Sequence, residues 1–142
     1  MDEGKGERRA MKHTILITGA AGFVGRHLQP AVVTAYPEAR LCLLDHPSSG
    51  ICGAGGRLQE DGAVLRVSAD LSCGEDPRLA LEALVERAGV PDMVFHLAAQ
   101  AEVGRSFQAP SATYEANVVG TARLLEVISD YTTTCRVLIP SS

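Results

Sequence analysis

No apolar run in this chain approaches the roughly 18 consecutive residues that a membrane-spanning helix needs. The amino terminus also lacks the apolar core of a signal peptide, so the sequence reads as a cytoplasmic one. Cys42, Cys52, Cys73 and Cys135 stand far apart and form no Cys-x-x-Cys pair. Neither a zinc site nor a redox motif is spelled, and buried or incidental thiols are expected instead. There is no excess of basic residues: 13 Lys and Arg face 17 Asp and Glu, a net charge of -4, which disfavours nucleic acid as a partner. A small phosphate-bearing ligand stays open, because backbone dipoles hold phosphates without a basic surface. The 142 residues allow one domain with a sizeable core. An apolar fraction of 46% against 21% charged residues describes a soluble globular chain.

What the sequence does have is concentrated first in Ile15 to Gly25, Ile-Leu-Ile-Thr-Gly-Ala-Ala-Gly-Phe-Val-Gly. The run Ile15 to Ile17 suits a strand buried on both faces of a parallel sheet. Gly19 then turns the chain, Gly22 removes a Cβ that would collide with a bound pyrophosphate, and Gly25 lets the following helix pack closely. The helix start supplies unpaired N–H groups for phosphate. Taken alone, a glycine triplet is also compatible with an ordinary turn. The preceding strand and an acidic residue further on favour a nucleotide site.

Met1 to Ala10 is charged and holds nothing to bury, so residues 1–11 are expected to form a disordered tail, with a single nucleotide-binding unit over 12–142. Met11 is an alternative start of translation. A helix is expected from about Gly22 to Tyr36, with Phe23, Val24, Leu28, Val32 and Val33 available to face the sheet and Pro30 kinking or shortening it. Arg40 to Asp45 is a second strand that finishes on a carboxylate, 26 positions after Gly19. An acid there accepts hydrogen bonds from the adenosine ribose hydroxyls and repels a 2′-phosphate, favouring NAD over NADP. The alternative is an Asp that merely opens the turn toward His46-Pro47. Pro47 to Gly62, with five glycines, reads as a long surface loop.

Ala63 to Val67 is expected as a third strand, leading to Asp70 and Leu71 at the edge where an adenine would lie. Asp70 equally suits a turn or a helix cap. Pro77 to Ala88 reads as a helix with Leu79, Leu81, Leu84 and Val85 on its apolar face, stopped by Gly89. Met93 to Leu97 is a fourth strand running into Ala98-Ala99-Gln100, where the small residues after the strand suit a flat ligand or simply tight packing. His96 reads as a core or strand-end histidine rather than a metal ligand. Glu102 to Gln108 is expected as a polar connection, and Pro110 to Tyr131 as a long helix with Val118, Leu124, Leu125 and Ile128 as its stripe. Asn117 and Gly120-Thr121 inside it cost helix stability and call for a packing or binding reason. Arg136 to Ile139 opens a fifth strand.

Thr18-Gly-Ala-Ala-Gly-Phe-Val-Gly25, Asp45, Asp70-Leu71, His96-Leu-Ala-Ala-Gln100, Asn117-Val-Val-Gly-Thr121 with Leu124-Leu-Glu126, and Val137-Leu-Ile-Pro-Ser-Ser142 together resemble the extended short-chain dehydrogenase/reductase family. Within it the chain looks most like the NAD-dependent nucleotide-sugar epimerases and 4,6-dehydratases. The stretch His96 to Glu126 leans toward the GDP-mannose 4,6-dehydratase-like branch. The resemblance covers about Met11 to Ser142, which corresponds to the first half of such an enzyme.

That resemblance implies a Rossmann-type α/β fold, a three-layer sandwich with a doubly wound parallel sheet of order 3-2-1-4-5, incomplete after the fifth strand. It implies NAD as cofactor, with Gly19, Gly22, Phe23, Val24 and Gly25 around the pyrophosphate, Asp45 on the adenosine ribose and Asp70 and Leu71 on the adenine. Leu97, Ala98, Ala99 and Gln100 would follow the nicotinamide half. Ser142, or else Ser141, matches the family's catalytic serine. The family's Tyr-x-x-x-Lys pair, whose tyrosine is the general acid/base, is missing, so the chain is expected to be catalytically incomplete. The full-length family implies a nucleotide-sugar substrate and allows a homodimer, with neither nucleic acid nor membrane as partner. Ala101, where the sugar dehydratases commonly carry serine, leaves the sugar open. A non-catalytic dinucleotide-binding regulator and an inert fragment are the competing readings.

Overall fold

The computed structural model describes residues 13–53 and 56–141. The expected tail, Lys12 and Ser142 lie outside the described residues. Six strands form one sheet: β1 (His13–Thr18), β2 (Ala39–Asp45), β3 (Leu58–Asp61), β4 (Val64–Ser68), β5 (Met93–His96) and β6 (Arg136–Leu138). Their order is β3-β4-β2-β1-β5-β6. Every neighbouring pair is parallel except β3 with β4. Leaving β3 aside, the five parallel strands stand in the doubly wound order expected.

Strand alternation divides the core into two. Ile15 and Ile17 of β1 with Leu41 and Leu43 of β2 pack against Val32 and Leu28 of helix α1 (Phe23–Ala35). Leu16, Cys42, Leu44, Leu65 and Val94 point to the other face. There they meet Leu81 and Leu84 of α2 (Asp76–Ala88) and Leu124, Val127 and Ile128 of α5 (Gly120–Tyr131). Consecutive apolar residues buried on opposite faces explain why these strands read as continuous hydrophobic runs. Each such side chain contributes about 1.5–3 kcal/mol on burial.

Several expectations need correction. The loop Pro47 to Gly62 contains a 3-10 turn at Pro47–Ser49 and the strand β3. β3 pairs antiparallel with β4 through a two-residue connection, Asp61 opposite Val64, with Gly62 at φ 57°. Asp61-Gly62 is a hairpin signal, and the left-handed φ is what its glycine supplies. Helix α1 runs through Pro30 to Ala35 rather than stopping short. Pro30 is exposed, so water can hydrate the carbonyl it leaves without a donor.

Phe23, Val24 and Val33 do not face the sheet, and neither do Leu79, Val118 or Leu125, all of which are exposed. Of the residues expected to face the sheet, Val32, Leu81, Leu84, Leu124 and Ile128 are buried against it and Leu28 packs beside them; Gly25 in α1, Pro77 and Ala80 in α2, and Gly120 and Val127 in α5 join them. Residues 102–108 are not a simple polar connection but contain the short helix α3 (Val103–Gln108). The long helix is a composite: α4 (Pro110–Tyr114), a π-helical turn (Glu115–Val119) and α5. No helix among the described residues is long and apolar enough to cross a membrane.

Candidate functional site

The carboxyl ends of β1, β2, β4 and β5 open into a cleft of about 720 Å³. Gly19 and Gly22 line its centre, Asp45 with His46, Ser48 and Ser49 one side, and Asp70 to Ser72 the end. Leu97 to Glu102 and Arg105 line the opposite side, and Ala112 and Ala116 look in from the composite helix.

The glycine turn is pinned at several points. Gly19 has φ 68°, and a Cβ there would meet the Leu97 carbonyl carbon and the Ala98 nitrogen at 2.7 Å. Gly25 would collide with the Gly19 oxygen at 2.4 Å and the Ala20 oxygen at 2.7 Å. These two glycines let the turn close on itself and on β5. Gly22 differs: its Cβ would approach only the Gly19 oxygen, at 3.2 Å, and it lines the cleft. Gly22 caps α1 without a side-chain acceptor, so the first helical amides, those of Phe23, Val24 and Gly25, have no intrahelical partner. This explains the placement of three expected site residues. The side chains of Phe23 and Val24 are 80% and 58% exposed, Gly25 is buried, and none of the three lines the cleft; what they can offer a phosphate is backbone N–H.

Parallel pairing of β1 with β2 sets Thr18 opposite Leu44 and carries Asp45 to the glycine turn. The Asp45 Oδ2 accepts from the Ala21 N–H at 2.8 Å and its Oδ1 from the His46 N–H at 2.7 Å. Across the cleft end, the Asp70 Oδ1 accepts from the Ser72 N–H and hydroxyl at 2.9 and 2.6 Å. Burial raises the Asp70 carboxyl, but the Ser72 hydrogen bonds and nearby His46 outweigh it and hold the group below the usual aspartate value. The Asp70 amide donates to Asp76 at the start of α2. Asp70 thus does what a turn residue does while also facing the cleft.

Between the two halves of the cleft lies a buried polar chain. The Thr18 Oγ1 is 2.7 Å from His96 Nδ1, and His96 Nε2 is 2.7 Å from the Thr121 Oγ1. The Ala98 N–H donates to the Thr18 oxygen, and the Thr121 hydroxyl donates to the Asn117 carbonyl. Since the single Thr121 proton is committed to Asn117, His96 must donate from Nε2 and accept at Nδ1 from Thr18. One neutral tautomer satisfies the whole chain, and burial lowers the His96 pKa accordingly. The Asn117 side chain then grips Gln100: its Oδ1 accepts from the Gln100 N–H at 2.7 Å and its Nδ2 donates to the Gln100 carbonyl at 3.0 Å. That is the binding reason the sequence required for Asn117, and it falls within a π turn, a feature frequent at functional sites. Gly120 lies where α5 passes the Leu71 backbone, but a Cβ there would stand 3.4 Å from the Leu71 carbonyl, an ordinary contact, so packing does not demand a glycine.

The structure therefore gathers Gly19, Gly22, Asp45, Asp70, Leu71, Leu97, Ala98, Ala99 and Gln100 around one cleft. Ser141 is exposed beyond β6 and does not line the cleft; Ser142 is outside the described residues. Sequence reasoning passed over His46, Ser48, Ser49 and Arg105 as lining residues, and over Thr18 and Thr121 as supports. The Asp45-His46-Pro47 turn was a visible signal for the first three, whereas nothing local marks Arg105. Of the thiols, Cys42 is pushed up to about 12, chiefly by burial and against the pull of Arg40. It is therefore no nucleophile.

The chain matches the family model described as GDP-mannose 4,6 dehydratase over residues 16–142. It is 33% identical over 119 residues to a dTDP-glucose 4,6-dehydratase of Xanthomonas campestris pv. campestris, covering 83% of this chain and 32% of that protein. Among solved structures, it resembles the Thermus thermophilus UDP-glucose 4-epimerase in complex with NAD at a TM-score of 0.62 and 28% identity, covering 83% of this chain and 34% of the other. The Thermotoga maritima UDP-glucose 4-epimerase with UDP-glucose aligns at a TM-score of 0.63 and 26% identity, over 84% and 35%. The chain spans about a third of the length of these relatives. With this sheet order, this glycine turn and these matches, the chain belongs to the NAD-dependent epimerase/dehydratase family, the extended short-chain dehydrogenase/reductases, with a GDP-mannose dehydratase-like sequence.

Proposed function

We propose that this chain is the NAD-holding part of a nucleotide-sugar epimerase, 4,6-dehydratase or reductase. The observation that carries the reading is the convergence of the Gly19–Gly22 turn, the Asp45 carboxylate, Asp70-Leu71 and Leu97 to Gln100 on one cleft. The donor set fits a dinucleotide. Unpaired amides at the start of α1 suit a pyrophosphate. The Asp45 oxygens each accept one N–H and retain lone pairs for two ribose hydroxyls. Leu71 gives the adenine end an apolar surface, and small Ala98 and Ala99 leave room beside the backbone for the nicotinamide half. The Asp45 charge opposes a 2′-phosphate, so NAD is preferred over NADP.

NAD, when bound, supplies a hydride acceptor. This chain's residues bind it, orient it and keep the strand ends in register. The proton-moving pair of the family is not among these residues: Tyr36, Tyr114 and Tyr131 are followed four positions on by Arg40, Val118 and Cys135, never by lysine. The Ser142 hydroxyl, or that of Ser141, is the group this segment would add to such a pair. Calorimetric titration of the 142-residue chain with NAD and NADP tests the reading. Saturable binding of NAD, tighter than NADP, is expected; heat of mixing alone with both would overturn it.

A further inference from the structure

We infer that Asp45 has a second task beside holding the ribose: it anchors the glycine turn, so that the ribose and pyrophosphate subsites are coupled through one carboxylate. The inference deepens the proposed function and rests on it. Its basis is the geometry of the turn. The Ala20 N–H continues the β1–β2 ladder to the Leu44 carbonyl at 3.3 Å, and the Gln29 Nε2 donates to the Ala20 oxygen at 2.8 Å. The next amide, Ala21, donates to the Asp45 Oδ2 at 2.8 Å. The Gly22 amide then donates back to the Gly19 oxygen at 3.1 Å and α1 begins. Ala21 is the last residue before the helix cap, and its N–H is fixed by Asp45 rather than by another backbone carbonyl. The orientation of the first amides of α1, which follow directly on cleft-lining Gly22, is therefore set partly from the end of β2. A hydrogen bond to an ionised acceptor is among the stronger kinds.

Charge and anchoring act on phosphate in opposite senses, and this separates them. A carboxylate at the cleft repels a pyrophosphate, so removing it by charge alone strengthens phosphate binding. Removing an anchor of the turn lets the amides swing and weakens it. A ligand without ribose hydroxyls removes the ribose contact with Asp45, so only charge and anchoring remain, and the sign of the change tells which of the two prevails.

The experiment compares ADP with 2′,3′-dideoxyadenosine 5′-diphosphate on the full chain and on Asp45→Ala by calorimetry. Asp45→Ala is expected to weaken the dideoxy ligand about threefold to tenfold, the range for one lost net hydrogen bond, and ADP by a larger factor. Unchanged or tighter binding of the dideoxy ligand overturns the coupling. Amide hydrogen exchange on the unsubstituted chain is the second measurement, independent of whether the variant folds. The Ala21 amide is expected to be protected without any ligand, and exchange at the rate of a free peptide overturns the anchor. If the unsubstituted chain binds neither NAD nor ADP, the proposed function falls, while Ala21 protection still decides whether Asp45 holds the turn.

Discussion

Thr18 and His96, 78 positions apart in sequence, share a hydrogen bond of 2.7 Å in which the threonine hydroxyl donates to Nδ1. It ties the end of the glycine-turn strand to the strand that leads into Ala98–Gln100. The direction of the proton is dictated from the far side, where His96 donates to Thr121 and Thr121 to the Asn117 carbonyl. An imidazolium carries protons on both nitrogens, so it would set a donor against the Thr18 hydroxyl proton.

That relationship gives stability an acid limit. Burial lowers the folded-state pKa of His96 below its ordinary value, whereas the unfolded chain titrates near the usual value of about 6.5. The unfolded state therefore binds more protons in the window from about 6.5 down to the folded value. Stability is full above that window and falls as pH drops through it. Urea midpoints measured at pH 7.5 and 5.5 should show the loss. His96→Gln, which cannot protonate, should be less stable at pH 7.5 yet lose less between the two values; an equal loss in both proteins refutes the assignment.

The three glycines of the turn should separate into two kinds. Gly25→Ala places a Cβ 2.4 Å from the Gly19 oxygen, and Gly19→Ala places one 2.7 Å from two backbone atoms at φ 68°. Backbone cannot yield cheaply, so each should destabilise the fold by about 2 kcal/mol or more. Gly22→Ala meets only one oxygen at 3.2 Å and should fold with a small loss while weakening NAD. Thermal unfolding with and without NAD distinguishes them: a Gly22→Ala protein with unaltered NAD response would remove that glycine from the site.

Much of this arrangement was legible because it is local. Ile15 to Ile17, Leu41 to Leu44 and the glycine triplet declare a buried strand and a tight turn in a few residues, and Asp45 inherits its place from the strand it ends. Three parts were not. The edge strand Leu58–Asp61 contributes one partly buried apolar residue, Leu58, so its only mark was Asp61-Gly62. Helix α3 buries no residue at all, and its Val103 and Phe107 are 70% and 81% exposed, so no amphipathic pattern announces it. The chain Thr18–His96–Thr121–Asn117–Gln100 joins distant segments. Sequence could register only that Asn117 and Gly120 are poor helix residues, not what they hold.

Asn117 should be a positioning residue for the nicotinamide side. Its amide pairs with both the N–H and the carbonyl of Gln100, and Asn117→Ala leaves both without their partner, at a cost of about 1–3 kcal/mol. Asn117→Asp keeps the acceptor for the N–H but turns an oxygen toward the Gln100 carbonyl. The aspartate variant should therefore recover little of the lost stability, as denaturant unfolding would reveal. Both variants should weaken NAD more than ADP, since the adenine position proposed at Asp70 lies across the cleft. Equal weakening of the two ligands would mean that Asn117 supports the fold generally.

Gly120 supplies the converse case on the same helix, and its sign depends on two comparable effects. Alanine in a helix is favoured over glycine by about 1 kcal/mol. Against this, a Cβ added at Gly120 would sit 3.4 Å from the Leu71 carbonyl carbon and oxygen and 3.5 Å from the Glu115 oxygen, close but still contact rather than collision. Gly120→Ala should thus be neutral to stabilising by up to about 1 kcal/mol, with NAD affinity unchanged within about twofold. Gly120→Val adds two methyl groups to the same gap and also stiffens the residue. It should push α5 off the Leu71 backbone, destabilise by about 1–3 kcal/mol and weaken ADP as much as NAD, because the displaced segment is the one proposed to meet the adenine. Denaturant unfolding and calorimetry on the pair read both quantities. A Gly120→Val protein that binds ADP like the parent would show that α5 passes Leu71 without setting its position.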